Sequence, residues 1–327
     1  MKIGVLCSGG DAPGMNPCLR AIVRAAKQHD DVVVGIKHGY QGIFDEEFWG
    51  DSDGCIGARD VSGMTNRGGS VLNSSRCQEM LEPDGPRRAA EILTKHKFDA
   101  LIAIGGNGTL TGANEIAKIW DGQVIGLPGT IDNDLCGTDF TIGFATAVHT
   151  VVDAIDKLRD TAGSHDMMFV VETMGRHCGD LAAVSALAGG CELVAVPEKR
   201  TDIAELVEKL KRFKELGKRS IIMVVAEGDD FGNAQDIMKA LKENGAPYEM
   251  RSVVLGHIQR GGIPVPGDRV LATRLGVRAV EELHNGQTGV MIGEVNIKIV
   301  LTPLEEVISG RRQMAEYVVD LIDSVSV

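Results

Sequence analysis

The sequence predicts an α/β protein built on parallel sheets, and three observations carry that prediction. Short apolar runs alternate with helical stretches of roughly 10–20 residues, the pattern of parallel strands covered by helices on both faces. Glycine-rich turns stand between the runs and the helices; Gly makes up 41 of 327 residues, nearly twice the general rate of ~7%. Aromatic residues are only 4%, which suits tight strand-to-helix turns better than a lectin or a base-stacking surface. At ~150 residues per domain the length suggests two domains. No low-complexity linker separates them, so several crossings rather than one tether are expected.

The first run, Lys2–Cys7, meets Ser8-Gly9-Gly10-Asp11-Ala12-Pro13-Gly14 and then a helical stretch from Met15 to Gln28. Val32–Ile36 reads as a buried strand. Ala100–Ile104 runs into Gly105-Gly106-Asn107-Gly108-Thr109 and a further helix. Val124–Leu127 meets Pro128-Gly129-Thr130-Ile131-Asp132-Asn133-Asp134. A long helix follows, because Phe144, Val148, Val151, Ile155 and Leu158 are spaced 4, 3, 4 and 3. Met168–Val171, Leu193–Val196, Ile221–Ala226 and Val253–Leu255 continue as strands, with helices at Asp202–Leu216 and Ala234–Lys242. In such folds ligands bind beyond the carboxyl ends of the strands, where these glycine-rich turns fall.

Charge and cysteine content exclude other classes. Lys plus Arg is 34 and Asp plus Glu is 46, a net charge of −12, the wrong sign for a general nucleic-acid binder. The cysteines are seven, an odd number, with no CxxC pair; reduced thiols in a cytoplasmic protein are expected. No apolar run approaches the ~18 residues of a membrane span, and the opening residues carry no secretory leader pattern.

The turns carry the chemistry. Glycines between strand and helix let a backbone approach a phosphate, and the helix start offers free N–H groups; tight turning alone is the other reading of Gly9-Gly10 and of Gly105-Gly106. Gly9 to Gly14 has P-loop spacing, but Met15-Asn16 follow where Lys-Ser/Thr is required, and no GxGxxG occurs. Asp132 and Asp134 can act as base and as a metal or hydroxyl partner, or cap an Asx turn. Arg176 in Met174-Gly175-Arg176 can clamp a phosphate or be a solvated arginine. His257 and Arg260 lie three apart among glycines, with Arg251 before them, a composition for an anionic ligand. Together they form a set for phosphoryl transfer, which needs positioning and charge stabilisation more than covalent chemistry.

These strings resemble the bacterial ATP-dependent 6-phosphofructokinases. Pro128–Asp134 and Gly256–Gly262 are the most specific; Ser8–Asn16, Asn66–Gly69, Ile104–Gly106, Met174–Arg176, Cys178–Asp180 and Ala188–Glu192 match as well, in order, between residue 3 and about residue 275. The resemblance implies two interlocked three-layer Rossmann-like domains with mostly parallel sheets. It places an ATP-binding larger domain at 1–138 plus 251–305 and a sugar-phosphate-binding smaller domain at 139–250 plus 306–327. It implies a cytoplasmic homotetramer of the glycolytic pathway, with neither nucleic acid nor membrane as partner. The reaction it implies is transfer of the γ-phosphate of ATP, as a magnesium complex, to the 1-hydroxyl of fructose 6-phosphate, giving fructose 1,6-bisphosphate and ADP.

By position the resemblance assigns Asp132 as base, with Thr130 and Asp134 beside it, and Arg176, Arg76 and Gly10 around the transferring phosphate. Gly10, Tyr40, Arg76, Cys77, Gly106, Asn107, Gly108 and Thr109 match nucleotide positions. Thr130, Asp132, Asp134, Met174, Gly175, Arg176, Glu227, Arg251, His257 and Arg260 match sugar-phosphate positions, Arg251 from a neighbouring subunit. Arg20, Arg24, Arg159, Glu192, Lys218 and Arg219 match an effector site for ADP or phosphoenolpyruvate, from which Ala58 and Gly63 depart. Gly108 and Gly129 stand where pyrophosphate-using relatives carry Asp and Lys, which favours ATP.

Two further departures concern the reaction itself. Asn107 occupies the magnesium-side position where the family has Asp, so weaker metal binding or slower turnover is expected. Met167 replaces an Arg that reaches a neighbouring subunit's sugar phosphate; a charge-assisted hydrogen bond of roughly 1.5–3 kcal/mol corresponds to about ten- to a hundredfold in affinity. Leu81 and Pro86 also replace basic positions. A kinase with a shifted acceptor or pyrophosphate donor, and a weakly active regulatory sugar-phosphate-binding subunit, remain alternatives at this point.

Overall fold

Apolar runs bounded by glycine-rich turns form the strands, and the computed structural model gathers them into two sheets. Residues 1–49, 55–310, 312 and 317–326 are described. In chain order the first elements are β1 (Lys2–Ser8), α1 (Met15–Ala26), β2 (Val32–Ile36), α2 (Gln41–Phe44), β3 (Phe48–Trp49), α3 (Gly85–Lys95), β4 (Ala100–Gly105), α4 (Asn107–Ala117), β5 (Gln123–Thr130) and β6 (Ile142–Gly143). Next come α5 (Phe144–His165), β7 (Met167–Thr173), α6 (Asp180–Ala188), β8 (Leu193–Ala195), α7 (Ile203–Glu215), β9 (Ile221–Ala226), α8 (Ala234–Glu243) and β10 (Glu249–Val254). The last are α9 (Pro266–His284), β11 (Val290–Val295), β12 (Lys298–Pro303), α10 (Leu304–Ser309) and α11 (Tyr317–Val325).

The chain divides into two units. The first comprises Met1–Ile131, Leu135–Thr146 and Arg260–Arg311; the second comprises Asp132–Asp134, Ala147–Gln259 and Arg312–Val327. In the first, the strand order is β12-β11-β5-β4-β1-β2-β3, with β6 beside β5. Strands β11, β5, β4, β1 and β2 run parallel, and β3 and β12 are antiparallel edges. On one face, Leu6, Val34, Ile36, Leu101 and Ala103 pack with Ala89, Leu93, Leu110, Ala113, Leu304 and Val307 of α3, α4 and α10. Helices α1 and α9 pack against each other; a Cβ on Gly276 would lie 2.8 Å from the Cys18 carbonyl oxygen, so that approach requires glycine.

The second unit has strand order β10-β7-β9-β8, parallel throughout. Met168, Val170, Met223 and Val225 meet Val207, Leu210 and Phe213 of α7 and Ile237 and Leu241 of α8 in its core. Helix α7 starts where Asp202 accepts from the backbone N–H of Ala204 and Glu205, and α8 starts with a capping box of Asn233 and Asp236.

The strand-to-helix alternation of the sequence corresponds to β1, β2, β4, β5, β7, β8, β9 and β10. It did not anticipate the β11–β12 hairpin, because an antiparallel pair needs no intervening helix and so breaks the alternation. The expected domain boundaries also move. Strand β10 pairs with β7 over its whole length, from Glu249 opposite Met167 to Val254 opposite Glu172, so 251–259 stay with the second unit rather than joining the first. Residues 139–146 stay with the first, where Asp268 accepts from the N–H of Gly143 at 2.9 Å and of Thr146 at 2.7 Å. Residues 306–311 also stay with the first unit. Within the expected 306–327 segment, 311, 313–316 and 327 lie outside the described residues.

Candidate active site

In the first unit the adjacent strands β1, β4 and β5 end side by side at Ser8, Gly105 and Thr130. Thr109, in the first turn of α4, donates its hydroxyl to the Ser8 carbonyl at 2.9 Å. That close seat requires glycine at 105, where a Cβ would lie 2.3 Å from Thr109 Oγ1 and 2.7 Å from the Ser8 carbonyl oxygen. Gly106 precedes α4, its Cβ position 3.4 Å from Thr130 Cβ, so Gly106 and Thr130 are neighbours. Asn107 and Gly108 are exposed, and no atom lies within 4 Å of a Cβ built on Gly108. The start of α4 thus presents N–H groups to open space, the geometry that receives phosphate. Tyr40 is buried and donates its hydroxyl to the Thr109 carbonyl at 2.6 Å; burial pushes its phenol well above the usual range. Cys77 packs on the same core face, and burial raises its thiol. Arg76 is exposed and forms no ion pair among the described residues.

Arg260 lies over the first glycine loop. Its Nη1 donates to the Asp11 carbonyl at 3.2 Å, and a Cβ on Gly10 would lie 2.0 Å from the same nitrogen. The sequence grouped Arg260 with sugar-phosphate residues; the fold puts its guanidinium against the Gly9-Gly10 turn, among the residues matched to nucleotide.

In the second unit, the segments that follow β7, β9 and β10, together with Asp132–Asp134 after β5, carry most of the remaining residues. Arg176 Nε stands 3.6 Å from Asp132 Oδ2, with the Asp132 side chain 6% exposed and that of Arg176 55%. Arg176 has φ +53° and Gly175 φ +137°. The Arg176 N–H donates to Glu227 Oε1 at 3.0 Å, and Glu227 N donates to the Thr173 carbonyl at 2.9 Å. A Cβ on Gly228 would lie 1.7 Å from the Arg176 carbonyl oxygen, so only glycine permits this seat. The Met174 N–H donates to Gln259 Oε1 at 3.3 Å, and Gln259 Nε2 donates to the Gly256 carbonyl at 2.8 Å; this buried glutamine ties the end of β7 to the turn bearing exposed His257. Burial pushes the Asp134 carboxyl above the usual carboxylate range, against the opposing pull of Arg176 and His177. Arg251 sits inside β10, exposed and paired with Glu249 at 2.8 Å. Met167 opens β7 at the end opposite Met174.

The profile of a family described as Phosphofructokinase matches residues 2–283. The chain belongs to the phosphofructokinase family. It is 47% identical over 313 residues to the ATP-dependent 6-phosphofructokinase 1 of Thermus thermophilus, covering 96% of this chain and 95% of that one. It is 46% identical over 311 residues to the ATP-dependent 6-phosphofructokinase of Clostridioides difficile, covering 95% and 94%. Among solved structures it is similar to the phosphofructokinase of Saccharomyces cerevisiae, with TM-score 0.86 and 34% identity, covering 99% of this chain and 47% of the yeast chain.

Four of the residues matched to the family's effector site, Arg159, Glu192, Lys218 and Arg219, are engaged internally. Arg159 donates to the Gly189 and Gly190 carbonyls at 2.8 Å each and stands 3.5 Å from Glu192. Lys218 is 3.8 Å from Glu192 and donates to the Ser326 carbonyl. Arg219 instead pairs with Asp166, at 2.6 and 2.9 Å, apart from Glu192. Arg20 is half-buried and Arg24 exposed on α1.

Gly129 is buried in β5, where a Cβ would lie 3.0 Å from Ile104 Cγ2 and 3.3 Å from the Gly105 nitrogen, so a longer side chain there would disturb the start of the α4 turn. Among the described residues no group of three or more His, Cys, Asp or Glu is disposed to hold a metal, and no helix is long and apolar enough to cross a membrane. Gln259 and Gly228 stand beside or within the motifs, yet the sequence did not single them out. A glutamine inside the glycine-flanked string Gly256–Gly262 is the signal the sequence offers for the first; Gly228 carries none.

Proposed function

We propose that this chain transfers the γ-phosphate of ATP to the 1-hydroxyl of fructose 6-phosphate. The observation that carries the reading is the buried Asp132 carboxylate with Arg176 Nε at 3.6 Å. In this reading the first unit takes the nucleotide, with Gly10, Gly106, Gly108 and Thr109 around its phosphates. The second takes the sugar phosphate with Arg176, Glu227 and His257. Asp132 accepts the proton of the 1-hydroxyl as its oxygen bonds to phosphorus, ADP leaves, and Arg176 and Arg76 neutralise the charge on the moving phosphoryl group. Magnesium enters as part of the substrate. The absence of a carboxylate cage among the described residues suits a metal carried by phosphates, and Asn107 offers it one neutral oxygen.

Relatives named ATP-dependent, together with glycines at 108 and 129, support ATP as donor. Exposed Arg251 and the position of Met167 at the opposite strand end suit a role in a neighbouring subunit of a homotetramer. ADP or phosphoenolpyruvate, as effector, would have to displace the internal partners of Lys218. No disulfide joins any of the seven cysteines, which suits the cytoplasm.

The test is a coupled assay for fructose 1,6-bisphosphate with magnesium and fructose 6-phosphate, with ATP in one arm and pyrophosphate in the other. Turnover with ATP alone, abolished in Asp132→Asn, is the expected result. Absence of turnover at millimolar sugar phosphate with either donor overturns the reading.

A further inference from the structure

Asn133 lies between the two carboxylates of the Asp132-Asn133-Asp134 segment and is fully buried. Its φ is +53°, the left-handed region, which Asn enters more readily than other non-glycine residues and in which the fold fixes this one. Two groups distant in sequence hold it there. The Asn133 side-chain amide donates to Asp180 Oδ2 at 2.8 Å. Arg312 Nη1 donates to the Asn133 carbonyl at 2.8 Å and pairs with the same Asp180 oxygen. Asp180 is anchored in turn: it is buried and opens α6, where the helix N-terminus favours its negative charge. A carboxylate, an amide and a guanidinium thus close a ring around one residue. That ring reads both ends of Asn133, its side chain and its carbonyl, so it fixes side-chain rotamer and peptide plane together.

We infer that Asp180 and Arg312 are positioning residues for phosphoryl transfer: the ring they form on Asn133 aims the neighbouring Asp132 carboxylate. The inference rests on Asp132 as the base. Its geometry is direct, because rotation about the Asn133 backbone swings the Cα–Cβ directions of Asp132 and Asp134 relative to each other. Loss of Arg312 frees the Asn133 carbonyl and leaves the buried Asp180 charge with one fewer partner. Neither Asp180 nor Arg312 meets the reacting atoms in this reading; their effect passes through Asn133.

The test uses the full chain with Arg312→Met, Arg312→Lys, Asp180→Asn and the double variant Arg312→Met/Asp180→Asn, beside Asp132→Asn. Thermal midpoint, kcat and the KM for each substrate are measured. A misplacement of ~1 Å costs up to ~100-fold in rate. The expected result for Arg312→Met is therefore a kcat reduced about 10- to 100-fold, with the KM for ATP within about twofold and a folded protein. Arg312→Lys recovers part of kcat, and the double variant is no worse than the poorer single one, as for residues acting as a unit. Parental kcat in a folded Arg312→Met, or a kcat loss that tracks the thermal midpoint without rescue by Arg312→Lys, or additive losses in the double variant, overturns the inference alone. Parental turnover in Asp132→Asn, or an inactive parent, overturns the base assignment and this inference with it.

Discussion

Gly228→Ala is the substitution whose consequence the backbone geometry predicts most directly. The new Cβ would lie 1.7 Å from the Arg176 carbonyl oxygen, whereas carbon and oxygen settle at ~3.3 Å. About 1.6 Å must be found, and both neighbours are backbone, so no side-chain rotation supplies it. Divided equally between the two segments, the shift moves Arg176 by ~0.8 Å. Arg176 Nε now stands 3.6 Å from Asp132 Oδ2. Lengthening that separation by ~0.8 Å, to ~4.4 Å, weakens the attraction by at most ~0.8 kcal/mol at an effective dielectric of 20. The arginine is half exposed, so screening reduces this to roughly 0.2–0.5 kcal/mol. Misalignment of a phosphate-stabilising group adds more, and an ångström of it costs up to ~100-fold. The expected outcome is kcat lowered about 10- to 100-fold in the coupled assay, with the KM for ATP little changed. Gly163→Ala is the control, because no atom lies within 4 Å of its Cβ position in α5, and it should retain parental kcat. A Gly228→Ala protein with kcat and sugar-phosphate KM within twofold of the parent would show that this backbone seat does not position Arg176.

Three further substitutions probe separate features. Burial raises the Asp134 carboxyl above its ordinary 3.8; a carboxyl raised in the fold holds its proton better there than in the unfolded chain, so it destabilises the protein once ionised. Asp134→Asn should thus raise the thermal midpoint at pH 7 by ~2 °C, with the gain vanishing as pH falls toward 4, while activity drops. Asn107→Asp restores a charged oxygen at the start of α4 and should lower the magnesium concentration for half-maximal rate, read from magnesium titrations of initial rate. Ile297, 79% exposed, holds φ +67° in the two-residue turn of the β11–β12 hairpin. Ile297→Gly removes left-handed strain of ~1–2 kcal/mol and should raise stability by about 1 kcal/mol after the entropy of glycine is set against it, measured by denaturant unfolding.

Strands β1, β4, β5, β7 and β9 and the helices that follow them were legible because parallel strands bury both faces and announce themselves as apolar runs ending in glycine. The chemistry-bearing types at their ends were legible for the same reason: Gly10, Gly106, Thr130, Asp132 and Arg176 all fall where a strand stops. What the chain order could not express was partnership across long separations. Arg260 is 250 residues from Gly10 in numbering, and nothing in its neighbourhood predicts that its guanidinium covers that glycine rather than joining His257. Asp180 and Arg312 are 132 residues apart and meet on Asn133 only after the second unit has formed. The hairpin β11–β12 lacked the intervening helix that marked other strand pairs, and β10 was read from Val253 because its earlier residues, exposed on one face, do not form an apolar run. Local periodicity and turn chemistry act over a few residues and determined the elements and the loops between them. Side-chain partners are chosen by whichever groups the packed sheets bring within hydrogen-bond distance, and that choice is not written in the order of the chain.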